Sequence, residues 1–350
     1  MNPVESPEPD LDWCHEAVQG VSRTFALTVD VLDEPMASHV CLGYLLCRVA
    51  DTIEDANHIP PAEQAALLRT YDAALDPDSE TTITEFRAAA EEWLPAPADR
   101  DEDWAVVAAA PTVWATFTEQ PEPVRDAIVA PIREMVDGMA MFVERHADTG
   151  GLRLDDRSEL EEYCYYAAGT VGILITNLLT RRGVAEERAE TLYGTAEEFG
   201  LLLQLINVSK DAYDDYTSEN NVYLPATWFE EEGIDQEAVV DPAARESAAS
   251  VVHRTATHAA TFLDDAQTYL ESMPLSHGNK TAAWSVPFLL GVGTLRELKA
   301  RPEDALTESG VKISRREVFA VMEAAHDAGA DSLTGLRETV ARKPYHHATE

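Results

Sequence analysis

The sequence predicts an all-α protein, one helical bundle around a central apolar cavity. Ala, Leu and Glu recur at helical spacing almost throughout, and strand signatures are scarce. Proline and glycine clusters cut the chain into about ten segments of helical length. Two of those segments continue apolar runs yet carry a single polar stripe.

In chain order, residues 1–12 are acidic and proline-rich and predict a disordered N-terminus that is no signal peptide. A single domain is expected over 13–335, with a polar tail over 336–350. Pro60-Pro61 before Ala-Glu-Gln reads as a helix start. The Ala/Pro/Asp/Glu-rich stretch 76–110 is the least constrained and reads as a surface helix and loop. Asn221 to Pro225 reads as a turn, and Ser276 to Asn279 as a turn before a helix over 280–298.

The first stripe is Tyr44, Arg48, Asp51 and Asp55, at i, i+4, i+7 and i+11, with Glu54 beside it. The second is Gln204, Asn207, Asp211, Asp214 and Asp215. Each segment sets three acids at i, i+3 and i+4 on one helix face, where like charges repel unless a cation sits between them. Acids fill 64 of 350 positions, so chance alone yields roughly two such triplets. Asp30/Asp33/Glu34 and Asp99/Glu102/Asp103 match the spacing too, but lack the stripe. Two facing acidic helices predict Mg²⁺, which is usually shared between one or two carboxylates and substrate phosphates. Mg²⁺ on a diphosphate makes it a leaving group, and a dry apolar cavity would then protect an allylic carbocation from water.

Composition narrows the partners. With 26 basic and 64 acidic residues the net charge is −38, and only five of the bases are lysine. That balance predicts a halophilic protein, whose self-repulsion is screened in molar salt, where the Debye length is about 3 Å. It argues against nucleic acid and anionic membrane surfaces, which need basic patches. Cys14, Cys41, Cys47 and Cys164 have no metal-ligand spacing and read as buried free thiols of a reducing cytoplasm. The longest uncharged stretches, 167–180 and 281–295, are too short and polar to span a bilayer.

Some residues have two readings. Arg23, in the polar patch Ser22-Arg23-Thr24-Phe25, suits a phosphate clamp or a surface salt bridge. Arg48 suits the same clamp or an intrahelical ion pair with its acids. In Tyr163-Cys164-Tyr165-Tyr166-Ala167-Ala168-Gly169-Thr170-Val171-Gly172, Tyr163 and Tyr166 share a face. The two glycines there allow close approach of either a second helix or a ligand.

Taken together, Ser22 to Phe25, Tyr44 to Asp55, Tyr163 to Gly172, and Gln204 to Asp215 with Tyr223-Leu224-Pro225 resemble squalene/phytoene synthases. The resemblance covers roughly residues 15–325 and implies the all-α isoprenoid-synthase fold. It implies Mg²⁺–diphosphate binding by Asp51, Glu54, Asp55, Asn207, Asp211, Asp214 and Asp215, with phosphate contacts from Arg23 and Arg48. Tyr163 matches a tyrosine proposed to move a proton. Tyr44, Gln204 and Tyr166 complete the expected substrate-contacting set, and Asp51, Asp55, Asp211 and Asp215 join Tyr163 as the expected catalytic residues.

Cys164 in its motif and Arg48 to Asp55 resemble the squalene synthase branch. So does Gly310-Val311-Lys312-Ile313, similar to a segment whose basic residues contact NADPH. Ser314 stands where a second basic residue is common, with Arg315 and Arg316 just beyond. Lys312 and Arg315, with Asn207, are therefore the expected cofactor contacts. Ala282 to Leu295 resembles the apolar helix that lines the cavity through its Pro287.

The resemblance implies that two farnesyl diphosphates condense through presqualene diphosphate, which NADPH reduces to squalene. The alternatives are a non-reductive phytoene or dehydrosqualene synthase, and a non-catalytic assembly factor that would have no need of intact carboxylates. The eukaryotic C-terminal anchor has no counterpart in polar 343–350. The expectation is a cytoplasmic monomer that touches membranes transiently to release an insoluble product.

Overall fold

The computed structural model describes residues 8–181, 183–327 and 332–347, without the side chains of 23, 24 and 327. Helices account for nearly all of its regular structure, and the one β-bridge among the described residues joins Arg153 to Val222. The helices are α1 (Leu11–Val21), α2 (Arg23–Val31), α3 (Met36–Glu54), α4 (Pro61–Leu75), α5 (Ile83–Ala89), α6 (Glu102–Ala108) and α7 (Ala110–Thr118). Next come α8 (Glu122–Arg145), α9 (Arg157–Cys164), α10 (Thr170–Thr180), α11 (Glu186–Tyr193), α12 (Ala196–Lys210) and the short α13 (Ala212–Asp214). The chain closes with α14 (Ala226–Glu231), α15 (Arg245–Ala259), α16 (Leu263–Ser272), α17 (Thr281–Ala300), α18 (Arg315–Asp327) and α19 (Leu333–Arg342).

The central helix is α3, which packs against α1, α4, α6, α7 and α8. Sixteen of its 19 residues are buried, as expected of a helix that is apolar nearly all round. The three that are not are Tyr44, Arg48 and Asp51, so the stripe read from the sequence is the one accessible line on the helix.

Across the bundle, α9 and α10 form one rod joined by a π-helical turn, Tyr165–Gly169, against which α12 packs. The approach is glycine-limited. A Cβ on Gly172 would lie 2.1 Å from the Ala196 carbonyl oxygen, and one on Gly200 would lie 2.3 Å from that of Ala168. No side chain fits either place, so the two helices meet backbone to backbone.

On the remaining side, α17 packs on α2, α12, α15, α16, α18 and α19. Pro287 lies within it, half-buried on the same face as Leu290. Leu203 of α12 reaches to 3.6 Å of where a Cβ on Gly291 would sit.

Both expected domain edges shift. Residues 1–7 lie outside the described residues, but order begins before residue 13. Asp10 caps α1 through the Trp13 N–H (2.9 Å), and its own N–H donates to Thr116 Oγ1 (2.8 Å). At the other end, α19 belongs to the fold rather than to a tail. Leu333 and Val340 are buried, and Arg296 of α17 donates to the Val340 carbonyl (2.6 Å). The Tyr345 N–H donates to Glu317 (3.1 Å). Leu336 packs beside Leu333 and Val340, so the apolar face of this otherwise polar helix is three residues long. Residues 76–110 are also more ordered than expected: α5 has a capping box at Thr82, and α6 buries Trp104, Val106 and Val107.

Candidate active site

The first acidic face sits at the C-terminal end of α3, where Asp55 is the cap residue. Arg48 Nη2 donates to Tyr44 Oη (2.7 Å), and its Nε lies 4.0 Å from Asp51 and 3.6 Å from Asp103. Burial works against its charge, but Asp51, Tyr44 and Asp103 outweigh that and keep the guanidinium protonated. Phe25 of α2 stacks on Tyr44 at 4.0 Å, so an apolar wall begins directly beside the charged stripe. Asp103 belongs to a triplet that the sequence assigns to a loop. It lies instead in the first turn of α6, against the stripe.

The second face departs from the expected continuous helix. α12 stops at Lys210, Asp211 is its cap, and the chain then runs through α13 into a π-helical turn, Asp215–Glu219. π-Turns recur at functional sites because they re-aim side chains that a regular helix would space evenly. Here the result is that Asp215 and Glu219, not Asp214, face the first motif. Asp214 is exposed, whereas Asp55 feels Glu219, Glu54, Asp51 and Asp215. Asp211 is half-buried and paired with its neighbour Lys210.

Glu219 is the residue that sequence reasoning misses. It lies four positions beyond Asp215 and eight beyond Asp211, one turn past the triplet read from the sequence, within the π-turn.

Burial and mutual repulsion raise the carboxyls of this cluster together. Asp51 is pushed up to about 6, first by burial and then by Asp103, against the opposing pull of Arg48. Burial and Asp51 raise Glu54; burial, Asp211 and Asp214 raise Glu219. Asp55 and Asp215 are both pushed well above the usual carboxylate range, chiefly by burial and then by Glu219. Glu54 Oε1 is buried with no hydrogen-bond partner. So much uncompensated negative potential fits bound cations. Among the described residues no three His, Cys, Asp or Glu side chains close around one ion by themselves.

Tyr163 is buried against this cluster and donates to Glu54 Oε2 (3.3 Å). Its ring stacks on Tyr223 at 4.7 Å and meets Phe142 edge-on at 5.4 Å. Tyr166 meets the same Phe142 of α8 edge-on at 6.3 Å, and a Cβ on Gly138 would lie 2.2 Å from its ring. Gln204 is half-buried and Asn207 exposed on the last turns of α12, facing the same mouth. Arg23 opens α2, but its side chain lies outside the described residues.

Lys312 and Arg315 are exposed, with no carboxylate within 4.0 Å among the described residues. The turn Pro302–Leu306 that precedes them packs on α13, which brings this segment to the side of the second acidic face. Ser314, in place of a second basic residue, accepts from the Glu317 N–H (3.2 Å) and so caps α18. The Glu317 carboxylate is bound bidentately by Arg296 (2.8 and 2.9 Å), which ties α18 to α17.

The sequence profile of the squalene/phytoene synthase family matches residues 18–317. The chain belongs to that family. It is 28% identical to the squalene synthase of Bos taurus over 229 residues, 64% of this chain and 49% of that protein. With squalene synthase 1 of Arabidopsis thaliana it shares 24% identity over 294 residues, 83% of this chain and 65% of that one. The chain thus spans about half to two thirds of the length of these relatives.

Among solved structures, the complex of TcSQS with the ligand E5700 superposes with a TM-score of 0.76 at 21% identity. That match covers 97% of this chain and 99% of the other. A dehydrosqualene synthase complex gives 0.63, also at 21%, covering 91% and 95%. At these identities the structures establish the shared all-α fold. No helix among the described residues is long and apolar enough to cross a membrane. All four cysteines are buried and free, as expected.

Proposed function

We propose that this family member joins two farnesyl diphosphates head to head and, with NADPH, reduces the presqualene diphosphate formed to squalene. The observation that carries the diphosphate part is the convergence of two acidic faces on one mouth beside an apolar wall. Asp51, Glu54 and Asp55 with Asn207, Asp211 and Asp215 would hold Mg²⁺, and Glu219 joins them from the π-turn in place of the exposed Asp214. Bound there, Mg²⁺ supplies the positive charge that lets a diphosphate leave. Arg48, and Arg23 from α2, neutralise phosphate oxygens. Phe25, Leu203, Pro287 and Leu290 exclude water from the prenyl chain, with Tyr44 and Gln204 at its entrance. Tyr163, with its hydroxyl on Glu54, is placed to accept or direct a proton beside the diphosphate.

The raised carboxyls give this reading a signature. An acid whose folded pKa is raised binds a proton that the unfolded chain has already lost, so metal-free stability declines as pH rises from about 4 through 6 and beyond. Mg²⁺ should offset that decline by binding only the folded form. The expected result in molar KCl is a larger Mg²⁺-induced rise in Tm at pH 8 than at pH 5. Equal rises would contradict a metal site made from these carboxylates.

The reductive half rests on Lys312 and Arg315, unpaired cations on the second acidic side that suit the phosphate of NADPH, which supplies hydride. Turnover of farnesyl diphosphate with Mg²⁺ should give squalene with NADPH and accumulate presqualene diphosphate without it. A hydrocarbon product unchanged by omitting NADPH would assign the chain to a phytoene or dehydrosqualene synthase instead. Transient membrane contact, in a protein of the cytoplasm, would serve release of so apolar a product. Flotation with liposomes at high salt reads it out.

A further inference from the structure

Beside the second acidic face lies an arginine that belongs to none of the site motifs. Arg153, in the loop between α8 and α9, is only 7% exposed, so its charge is turned inward rather than to solvent. All five of its N–H donors are used. Nε and Nη2 grip the Glu237 carboxylate (2.6 and 3.3 Å), and Nη1 donates to the Leu152 carbonyl (2.9 Å). The other two bonds go to a single residue, Asn220. Nη1 donates to its carbonyl and Nη2 to its Oδ1 (3.0 Å).

Asn220 is where the π-turn Asp215–Glu219 ends. Its φ of 60° is left-handed, a conformation that stops a helix and that asparagine adopts more readily than most residues. Its N–H and that of Asn221 both donate to the Asp215 carbonyl, which closes the turn, and its Nδ2 donates to Gly150 (3.0 Å). The last carbonyls of a helical turn lack partners and carry partial negative charge, which a guanidinium placed there satisfies. Arg153 also lies over the Tyr216 ring, its Cζ 5.7 Å from the centroid, and so touches the turn near its start as well as at its end.

The turn is held from the first acidic face too. Asn57, two residues beyond Asp55, donates to the Ser218 carbonyl. Glu54 and Glu219 line one cavity together with Asn57, Leu152 and Asn221. A displaced turn end would therefore move Glu219 relative to Glu54 while α3 and α12 stayed in place.

We infer that Arg153 is a positioning residue for the Mg²⁺ site: its grip on Asn220 fixes the π-turn that sets Glu219 and Asp215 opposite the first acidic face. This rests on the reading of those carboxylates given under the proposed function.

Arg153→Lys keeps the charge and loses the fork, and Asn220→Gly keeps the left-handed φ while removing the Oδ1 acceptor. In molar KCl the Mg²⁺ concentration for half-maximal rate should rise about tenfold in Arg153→Lys and several-fold in Asn220→Gly, the scale of one or two buried hydrogen bonds. At saturating Mg²⁺, kcat should return to within about twofold of wild type. Without substrate, the rise in Tm produced by a fixed Mg²⁺ concentration should shrink in both variants, which reports metal binding apart from turnover. An unchanged Mg²⁺ requirement in both variants, beside an inactive Asp51→Asn/Asp211→Asn enzyme, would overturn the positioning role and leave the metal reading intact. A fall in kcat that saturating Mg²⁺ does not restore would also overturn it, by showing a purely structural effect. Should Arg153→Lys fail to fold, Asn220→Gly decides on the same readings. A wild-type enzyme indifferent to Mg²⁺ would remove the metal reading and the inference together.

Discussion

Asp51→Asn combined with Asp211→Asn is expected to abolish turnover while leaving the far-UV circular dichroism spectrum of the bundle unchanged. Each substitution removes charge from one of the two faces, and metal charge stabilisation of several kcal/mol depends on both. At 1.4 kcal/mol per factor of ten, the loss in kcat should exceed about 10³-fold. Stability should move the other way. Asp51 is destabilised when ionised, its carboxyl pushed up to about 6 by burial and by Asp103. An amide there relieves that cost, so the metal-free variant should unfold at a higher temperature than wild type at pH 8. Turnover within about tenfold of wild type would refute the assignment of these carboxylates to diphosphate ionisation.

Withdrawal of salt should unfold the protein or drive it to aggregate. A net charge of −38 on 350 residues leaves acid–acid repulsion largely unneutralised. At 1 M salt that repulsion is confined to about 3 Å, and at 0.01 M it reaches about 30 Å. The local ion pairs are no substitute, because exposed pairs such as Arg69–Glu144 and Arg342–Glu338 contribute little. Dialysis from 3 M to 0.01 M KCl, roughly from below a 3 Å to about a 30 Å screening length, followed by circular dichroism and light scattering, reads the effect. A helical, monodisperse protein in dilute buffer would contradict the halophilic reading.

The sequence was most legible where one helix had to satisfy two demands at once. Since α3 is buried on almost every side, its few polar residues needed a reason, and Tyr44, Arg48 and Asp51 mark the site line. The second face was legible only in part, because its pattern assumes regular winding. The break at Asp211 and the π-turn after it exposed Asp214 and brought in Glu219. Glu219 continues the i+4 line from Asp211 and Asp215, but in a chain with 64 acids that spacing alone does not set it apart. Asp103 was lost for a related reason: its triplet has no polar stripe of its own, and its role comes from lying against Arg48. Tyr163 and Tyr166 were read as sharing a face, and both rings meet Phe142 of α8. The C-terminal α19 went unseen because its apolar face is only Leu333, Leu336 and Val340 in an otherwise polar stretch.

The glycine contacts of α12 with α10 and the π-turn before it bear on which parts of the bundle can move. At Gly172 and Gly200 the two backbones touch with no side chain between them, so neither helix can tilt or slide without carbonyl meeting Cα. These helices adjoin Tyr163 at one end and Asp211 at the other, and they move as one plate. Any breathing of the bundle therefore falls to its other elements, above all the nine-residue α2 where it lies on α17. The second acidic face rides on the rigid half of the bundle, and whatever gives belongs to the other.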